Sequence, residues 1–211
     1  LDIVLDGGLA SAGEVEWNLA NKVDKGAWLL MSGLLHNKTY QEELPAVFCY
    51  PKQWNGKTVV WLSAEGKAGL FNPDGSLKAE VQKVVATGAT VGGVDLLYQG
   101  EFLADGQPFT KTPKVQNPRE AAAYTFGYNH SVFVQRVHDV LSVVKYVKSH
   151  ERPSKELTVV GLDGAGHWVA AARAQCGEAI DRAVIDTQGF RFGKVLDIHS
   201  PDFLAGGAKY G

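Results

Sequence analysis

One short segment combines glycines with a carboxylate at a spacing that can support catalysis. Residues 159–168 read VVGLDGAGHW, so an apolar strand leads into a glycine-rich turn and then into a helix of small residues. A nucleophile elbow has the layout Gly-x-nucleophile-x-Gly, because only small residues fit beside a strained nucleophile. Asp163 occupies the nucleophile position, and the N–H of Gly164 occupies that of an oxyanion donor at a helix N-terminus. The pattern predicts a sharp strand-to-helix turn that presents Asp163.

Two other interpretations of this turn involve no nucleophile. Glycine-rich turns of this kind bind phosphate in dinucleotide folds. However, Gly161, Gly164 and Gly166 do not follow the G-x-G-x-x-G order, and the strand comes late in the chain. In the second interpretation Asp163 only caps the helix that follows. The sequence leaves the nucleophile and the capping hypotheses open.

An aspartate nucleophile needs a histidine base, and three of the six histidines are candidates. His130 begins a long helix, His167 lies one turn after Asp163, and His199 follows the last predicted strand. We take His130 as the candidate base and His167 as a binding residue. A structural role stays open for each: capping for His130, packing for His167 and a loop position for His199. The other histidines are predicted to be surface or packing residues: His36, His138 and His150.

Several polar residues end predicted strands and should share one edge of the sheet. Ser63 and Glu65 follow one strand, and Glu101 follows another, so we assign them to oxyanion or substrate binding. Asp95 and Asp186 fall within apolar strands and should be paired, because burying a bare carboxylate is costly. Two carboxylates at one edge can also bind a cation, but no His or Cys spacing supports a metal site. We therefore predict no metal and no cofactor.

Hydrophobic patterns divide the chain into strands and helices that would position these residues. Six short apolar runs, bounded mostly by Gly or Pro, predict buried strands: Ala27–Leu35, Ala46–Tyr50, Thr58–Leu62, Thr90–Leu97, Leu157–Leu162 and Arg182–Thr187. Three segments have helical spacing, with stop or cap signals at their ends: Ser76–Thr87, Asn129–His150 and Gly164–Cys176. Because strands and helices largely alternate, we predict an α/β fold with a mostly parallel sheet. Ligands bind such sheets at the carboxyl ends of their strands, where Asp163 is placed.

Composition limits the remaining possibilities. The 211 residues fit one domain, with residues 1–25 as an N-terminal extension and residues 100–128 as a loop excursion. An apolar content of 45% excludes disorder, and a net charge of −2 makes nucleic acid a poor candidate partner. The longest apolar run, at residues 27–35, is too short to span a membrane. The two cysteines, Cys49 and Cys176, are predicted to be buried thiols too far apart for a disulfide.

Four segments together resemble the α/β-hydrolase superfamily, most closely its acetylxylan-esterase-like and dienelactone-hydrolase-like members. They are LPAVFCYPKQWNGKTVVWLSAEG at 44–66, VDLLYQGE at 94–101, FGYNHSVFVQRVHDV at 126–140 and the elbow segment at 159–173. The resemblance implies that the six predicted strands are the first six of eight. It also implies that the loop at 63–66 supplies a second oxyanion N–H. A secreted or periplasmic location is slightly favoured by the resemblance alone.

This chain departs from the resembled esterases at the site itself. Those esterases carry Ser where this chain has Asp163, and their acid and histidine follow a seventh and an eighth strand. Residues 206–211 look like the approach to that seventh strand, so we expect the last strands to be missing from this chain. The first hypothesis is a carboxylic-ester hydrolase acting on a small-molecule or carbohydrate ester, such as an acetylated carbohydrate. The second is a catalytically degenerate domain that serves as a structural or binding module beside other domains or subunits. A third, weaker one is an Asp-nucleophile hydrolase of the dehalogenase type.

Overall fold

A single mixed β-sheet organises the chain. The computed structural model describes residues 8–112 and 129–209. Seven strands in this part of the chain form one sheet in the order β1-β2-β3-β5-β4-β6-β7. Their bounds are β1 Val15–Asp24, β2 Trp28–Asn37, β3 Glu42–Pro51, β4 Lys57–Leu62, β5 Thr90–Val94, β6 Glu156–Gly161 and β7 Arg182–Ile185.

Helices cover both faces of this sheet. The described residues form three α-helices: α1 Ala79–Ala86, α2 Val132–Ser149 and α3 Gly166–Gln175. On one face, Val81 and Val85 of α1 pack against Val47, Cys49 and Val91 of the sheet. On the other face, α2 and α3 bury the larger core, with Phe133, Val137 and Val169 among its residues. The helices were predicted in these places, and Ser131 caps α2 by accepting the Val134 N–H at 3.3 Å, as expected.

The sheet is less parallel than predicted. Its ladders β5–β4, β4–β6 and β6–β7 are parallel, whereas β1–β2, β2–β3 and β3–β5 are antiparallel. Short connections join the first three strands, and such connections permit only antiparallel neighbours. The strand-to-helix turn at Asp163 lies in the parallel half of the sheet. The predicted position of this turn therefore does not depend on the strands that are antiparallel.

All six predicted strands are present, and the N-terminal residues contain a seventh strand that the sequence did not predict. Residues 15–24 form β1, which pairs along its whole length with β2. The pairing register shifts by one residue between Leu19 and Asn21. Most of its residues are exposed, so it lacks the apolar alternation of a half-buried strand. Residues 1–7 of the predicted extension lie outside the described residues.

Other sequence predictions have mixed outcomes. Both cysteines are free and buried, as predicted. Of the predicted excursion at 100–128, residues 113–128 lie outside the described part. Residues 103–112 contain no helix or strand, and Thr112 donates its N–H to the carbonyl of His199 at 2.8 Å. Near the end, residues 207–209 form a 3-10 turn rather than a strand, and residues 210–211 are outside the description. None of the helices described is both long and apolar enough to cross a bilayer.

Candidate active site

The turn between β6 and α3 has the predicted sharpness. The N–H of Ala165 donates to the carbonyl of Leu162 at 3.0 Å, which closes a four-residue turn. Both central residues have left-handed backbone, with φ of 46° at Asp163 and 90° at Gly164. Two positive φ angles are the mark of a type I′ turn, and Asp tolerates this conformation better than most residues.

Asp163 does not serve this turn as a helix cap. The N-cap of α3 is Ala165, with no side-chain capping bond. The Asp163 side chain is exposed, and within the described residues its carboxylate accepts no hydrogen bond and forms no ion pair. The capping hypothesis therefore fails, and the carboxylate is held out at the strand end by the backbone alone.

Small residues allow the strand, the turn and the helix to approach closely, as the sequence predicted. A Cβ on Gly161 would lie 2.5 Å from the Val169 side chain of α3. A Cβ on Gly166 would overlap the carbonyl oxygen of Asp186, which follows β7. The glycines are therefore required by packing between neighbouring strands and the helix, independently of any chemistry at Asp163.

The loop after β4 contacts the turn. The Ala64 N–H donates to the carbonyl of Asp163 at 3.0 Å, and a Cβ on Gly164 would lie 3.2 Å from that of Ala64. The Ala64 N–H is therefore occupied and cannot also be an oxyanion donor. Ser63 is only 2% exposed, and its hydroxyl donates to the Gly66 carbonyl at 3.3 Å. Ser63 thus holds the loop together.

A buried amide that the sequence analysis missed holds this loop in place. Gln99 is 3% exposed, and its Nε2 donates to the carbonyls of Ser63 and Ala64, both at 3.0 Å. Its Oε1 accepts the N–H of Leu96 at 3.1 Å. Gln99 therefore ties the loop after β4 to the segment after β5. A lone glutamine in a loop has no periodic signal, which is why the sequence did not reveal it.

The carboxylates at this edge are paired with lysines. Asp95, which is fully buried just after β5, accepts the backbone N–H groups of Lys67 at 2.9 Å and Glu101 at 3.0 Å. The Lys67 ammonium contacts Asp95 and also lies 2.7 Å from the Glu101 carboxylate. Glu65 forms an exposed 3.4 Å pair with Lys78. Asp95 is thus paired as predicted, whereas Asp186 is exposed and follows β7 rather than lying within it.

His167 is engaged by the C-terminal segment. Its Nε2 lies 2.8 Å from Oδ1 of Asp202, and its ring stacks on Phe190 with a centroid distance of 4.2 Å. Trp168 donates to the same Asp202 oxygen at 2.9 Å, and the Arg136 guanidinium lies 4.5 Å from the Trp168 ring. Burial acts to raise the pKa of Asp202, but His167, Trp168 and Arg136 together outweigh it, and the pKa is lowered. This arrangement favours the packing interpretation of His167.

The two remaining candidate histidines lie in other surroundings. His130 is exposed and immediately precedes the capping Ser131 of α2. Because α2 follows β5, His130 lies at the same edge of the sheet as the turn. His199 is half-buried in the segment whose backbone bonds to Thr112. The assignment of His130 as a base remains a prediction.

Comparison with solved structures identifies the architecture. An acetyl xylan esterase from Paenibacillus sp. R4 superposes with a TM-score of 0.56 at 13% identity, over 86% of this chain and 57% of that one. A Bacteroides fragilis protein assigned as an acetyl xylan esterase superposes with a TM-score of 0.57 at 11% identity, over 86% of this chain and 49% of that one. This chain has an esterase-like hydrolase fold. It spans about half the length of these two proteins. No family model and no curated protein matches its sequence.

The described residues contain one group of possible metal ligands. Glu42, His138 and Asp139 place ligand atoms within 4.8 Å of one another. His138 contacts Glu42 at 3.4 Å, and Asp139 accepts the Leu97 N–H at 2.8 Å. Burial raises the pKa of Asp139 to about 7.

Proposed function

We propose that the chain is the turn-bearing part of a carboxylic-ester hydrolase, with Asp163 as its functional carboxylate. One observation carries the proposal: an exposed, unpaired carboxylate is held in left-handed backbone at the strand-to-helix turn of an esterase-like hydrolase fold. A carboxylate that neither caps the helix nor pairs with a cation is available for chemistry.

Asp163 is better suited to activating water than to attacking an acyl carbon, because direct attack would produce a reactive mixed anhydride. As a general base it takes a proton from water while the hydroxide adds to the ester carbonyl. Collapse of the tetrahedral intermediate expels the alkoxide, which recovers the proton from Asp163. The fold and the two esterases support an ester substrate, and an acetylated carbohydrate is the class we propose.

A second candidate is a degenerate domain that binds without turnover. It is favoured by the N–H groups of Ala64 and Gly66, which donate within the protein and so leave fewer oxyanion donors in the loop at 63–66, and by Asp163 standing where the resembled esterases carry Ser. In this case the exposed edge of the turn would contact another domain or subunit of a larger protein.

Ester turnover by the full-length protein separates these candidates. We expect hydrolysis of para-nitrophenyl acetate and of an acetylated xylose, and a loss of about a hundredfold or more in Asp163→Asn. Asp186→Asn is the matched control, because Asp186 is an exposed carboxylate at the neighbouring strand end and should leave turnover unchanged.

Three other results would each support a different conclusion about Asp163. Unchanged turnover in Asp163→Asn excludes Asp163 from the reaction. An inactive wild type that gains turnover in Asp163→Ser identifies a degenerate site. Turnover of alkyl halides but not of esters by the wild type identifies an aspartate nucleophile acting on saturated carbon.

A further inference from the structure

A cavity of about 380 Å³ opens at the edge of the sheet opposite Asp163. Its lining includes Thr58 and Thr90, which lie near the start of the parallel strands β4 and β5 and directly opposite each other in the ladder. It also includes Tyr146 of α2 and His150, the residue that follows α2. The size lies within the range of small-molecule sites.

Two groups of aromatic side chains line this cavity. In the first, Trp17 of β1 meets Phe48 of β3 edge-to-face at a centroid distance of 5.1 Å, and Phe48 lies 5.8 Å from Tyr146. In the second, Tyr50 and Trp54 lie 5.9 Å apart with ring planes inclined by 36°. Aromatic side chains pack against flat apolar rings through stacked and edge-to-face contacts.

The lining contains a hydroxyl that has no hydrogen-bond partner among the described residues. It is Oγ1 of Thr90, a residue that is 5% exposed. Its neighbour Thr58 is satisfied, because Oγ1 of Thr58 lies 2.6 Å from Oγ of Ser154. Leaving a buried hydroxyl without a hydrogen bond costs free energy. A ligand hydroxyl or carbonyl that bonds to Thr90 would therefore gain more binding free energy than it would from a hydrogen bond at the protein surface.

The charged residues that line the cavity carry a net positive charge. Lys22 and Arg152 are exposed and have no ion-pair partner in the part of the chain that the structure describes. Glu151 is the one carboxylate in the lining. His150 accepts the Arg152 N–H at Nδ1, 3.0 Å away, which leaves the proton on Nε2, and burial lowers its pKa. The neutral imidazole adds a donor but no charge.

From these observations we infer that the cavity binds a small aromatic carboxylate that carries a hydroxyl or carbonyl at its far end. The ring packs against the aromatic side chains of the lining, the far group bonds to Thr90, and the carboxylate faces Lys22 and Arg152. This site is separate from Asp163 and does not depend on the ester-hydrolase proposal.

Calorimetric titration with three related probes tests the inference. They are a hydroxynaphthoate with its two groups at opposite ends of the fused rings, a naphthoate that lacks the hydroxyl, and a naphthol that lacks the carboxylate. We expect hydroxynaphthoate to bind about threefold to tenfold more tightly than naphthoate, which is the value of one hydrogen bond.

Variants connect the binding to the named groups. Thr90→Val should erase the difference between hydroxynaphthoate and naphthoate without lowering the unfolding midpoint, and Thr90→Ser should keep it. The double variant Lys22→Glu with Arg152→Glu should weaken both carboxylates about tenfold or more and leave naphthol unchanged. Lys83→Glu, an exposed charge reversal on α1 at the other face of the sheet, is the matched control.

Three results would overturn the inference. The first is the absence of saturable binding of any probe at millimolar concentration. The second is binding that neither Thr90→Val nor the double variant alters, which would place the probe elsewhere. The third is naphthol binding as tightly as hydroxynaphthoate, which would remove the carboxylate from recognition.

Discussion

Asp139 should make the protein less stable above neutral pH, and replacing it with asparagine should reverse the effect. The side chain is 5% exposed within α2, and Oδ2 accepts the Leu97 N–H at 2.8 Å. The substitution Asp139→Asn keeps an acceptor at this position and removes the charge. The charged and titratable groups around it are Glu42, His138 and Arg136.

The magnitude follows from the pKa. Burial raises the pKa of Asp139 to about 7 from an ordinary value of 3.8. A difference of about 3 between the pKa of Asp139 in the folded and the unfolded state corresponds to about 4 kcal/mol of unfolding free energy. Because the folded state binds the proton more tightly than the unfolded state, stability is lost as pH rises from about 4 to about 7. Above that range the loss is complete, so Asp139→Asn should gain up to about 4 kcal/mol over wild type at pH 8 and nearly nothing at pH 4.

Urea unfolding of wild type and Asp139→Asn at several pH values between 4 and 8 measures this difference directly. Subtracting the unfolding free energy of wild type from that of the variant at each pH cancels the contribution of groups that titrate elsewhere in the protein. Asp181→Asn is the control of opposite sign, since the Lys148 ammonium 2.7 Å away holds the pKa of the Asp181 carboxyl below its ordinary value. That variant should lose less than about 1 kcal/mol at neutral pH. A difference for Asp139→Asn that stays flat across the range, or that is unfavourable at pH 8, would refute the reasoning.

Three further perturbations have expected outcomes. Gln99→Ala should lower the unfolding free energy by about 2 to 3 kcal/mol in urea titrations, because two loop carbonyls and the Leu96 N–H lose their buried partner; equal stability would show that the loop holds without it. Gly166→Ala should lower the thermal midpoint because its Cβ overlaps the Asp186 carbonyl, whereas Gly193→Ala meets nothing within 4 Å and should change it little. Burial raises the pKa of Cys49 to about 12, so its thiol should react with Ellman's reagent only after unfolding, and rapid labelling of Cys49 in a native Cys176→Ser variant would contradict its placement.

The sequence predicted the elements that are regular and buried. The apolar runs in β4 and β6 are recognisable as strands in the sequence, because strands covered on both faces consist almost entirely of residues such as Val and Leu. The strand β1 was missed since its exposed residues, such as Asn18 and Lys22, carry no such pattern. The sheet position of an edge strand depends on its partner rather than on its own composition.

The site was predictable where it depends on backbone and not where it depends on distant partners. The glycines around Asp163 imply a tight turn by steric reasoning alone. The contact of His167 with Asp202 and the bonds from Gln99 to the loop after β4 join residues more than thirty positions apart. No local spacing specifies such pairs, so only the folded chain reveals that the Ala64 N–H and the His167 ring are already engaged.

The position of β4 has a consequence for synthesis on the ribosome. This strand pairs on one side with β5, and on the other with β6, whose matching residues come about a hundred positions later. A ribosome that adds about 5 to 20 residues per second needs about 5 to 20 s to deliver them. During that time the nascent chain exposes one edge of a strand that reads TVVWL, a sequence with the β-propensity and lack of charge that promote aggregation. Between the synthesis of β4 and that of β6, this strand edge is therefore open to pairing with other chains.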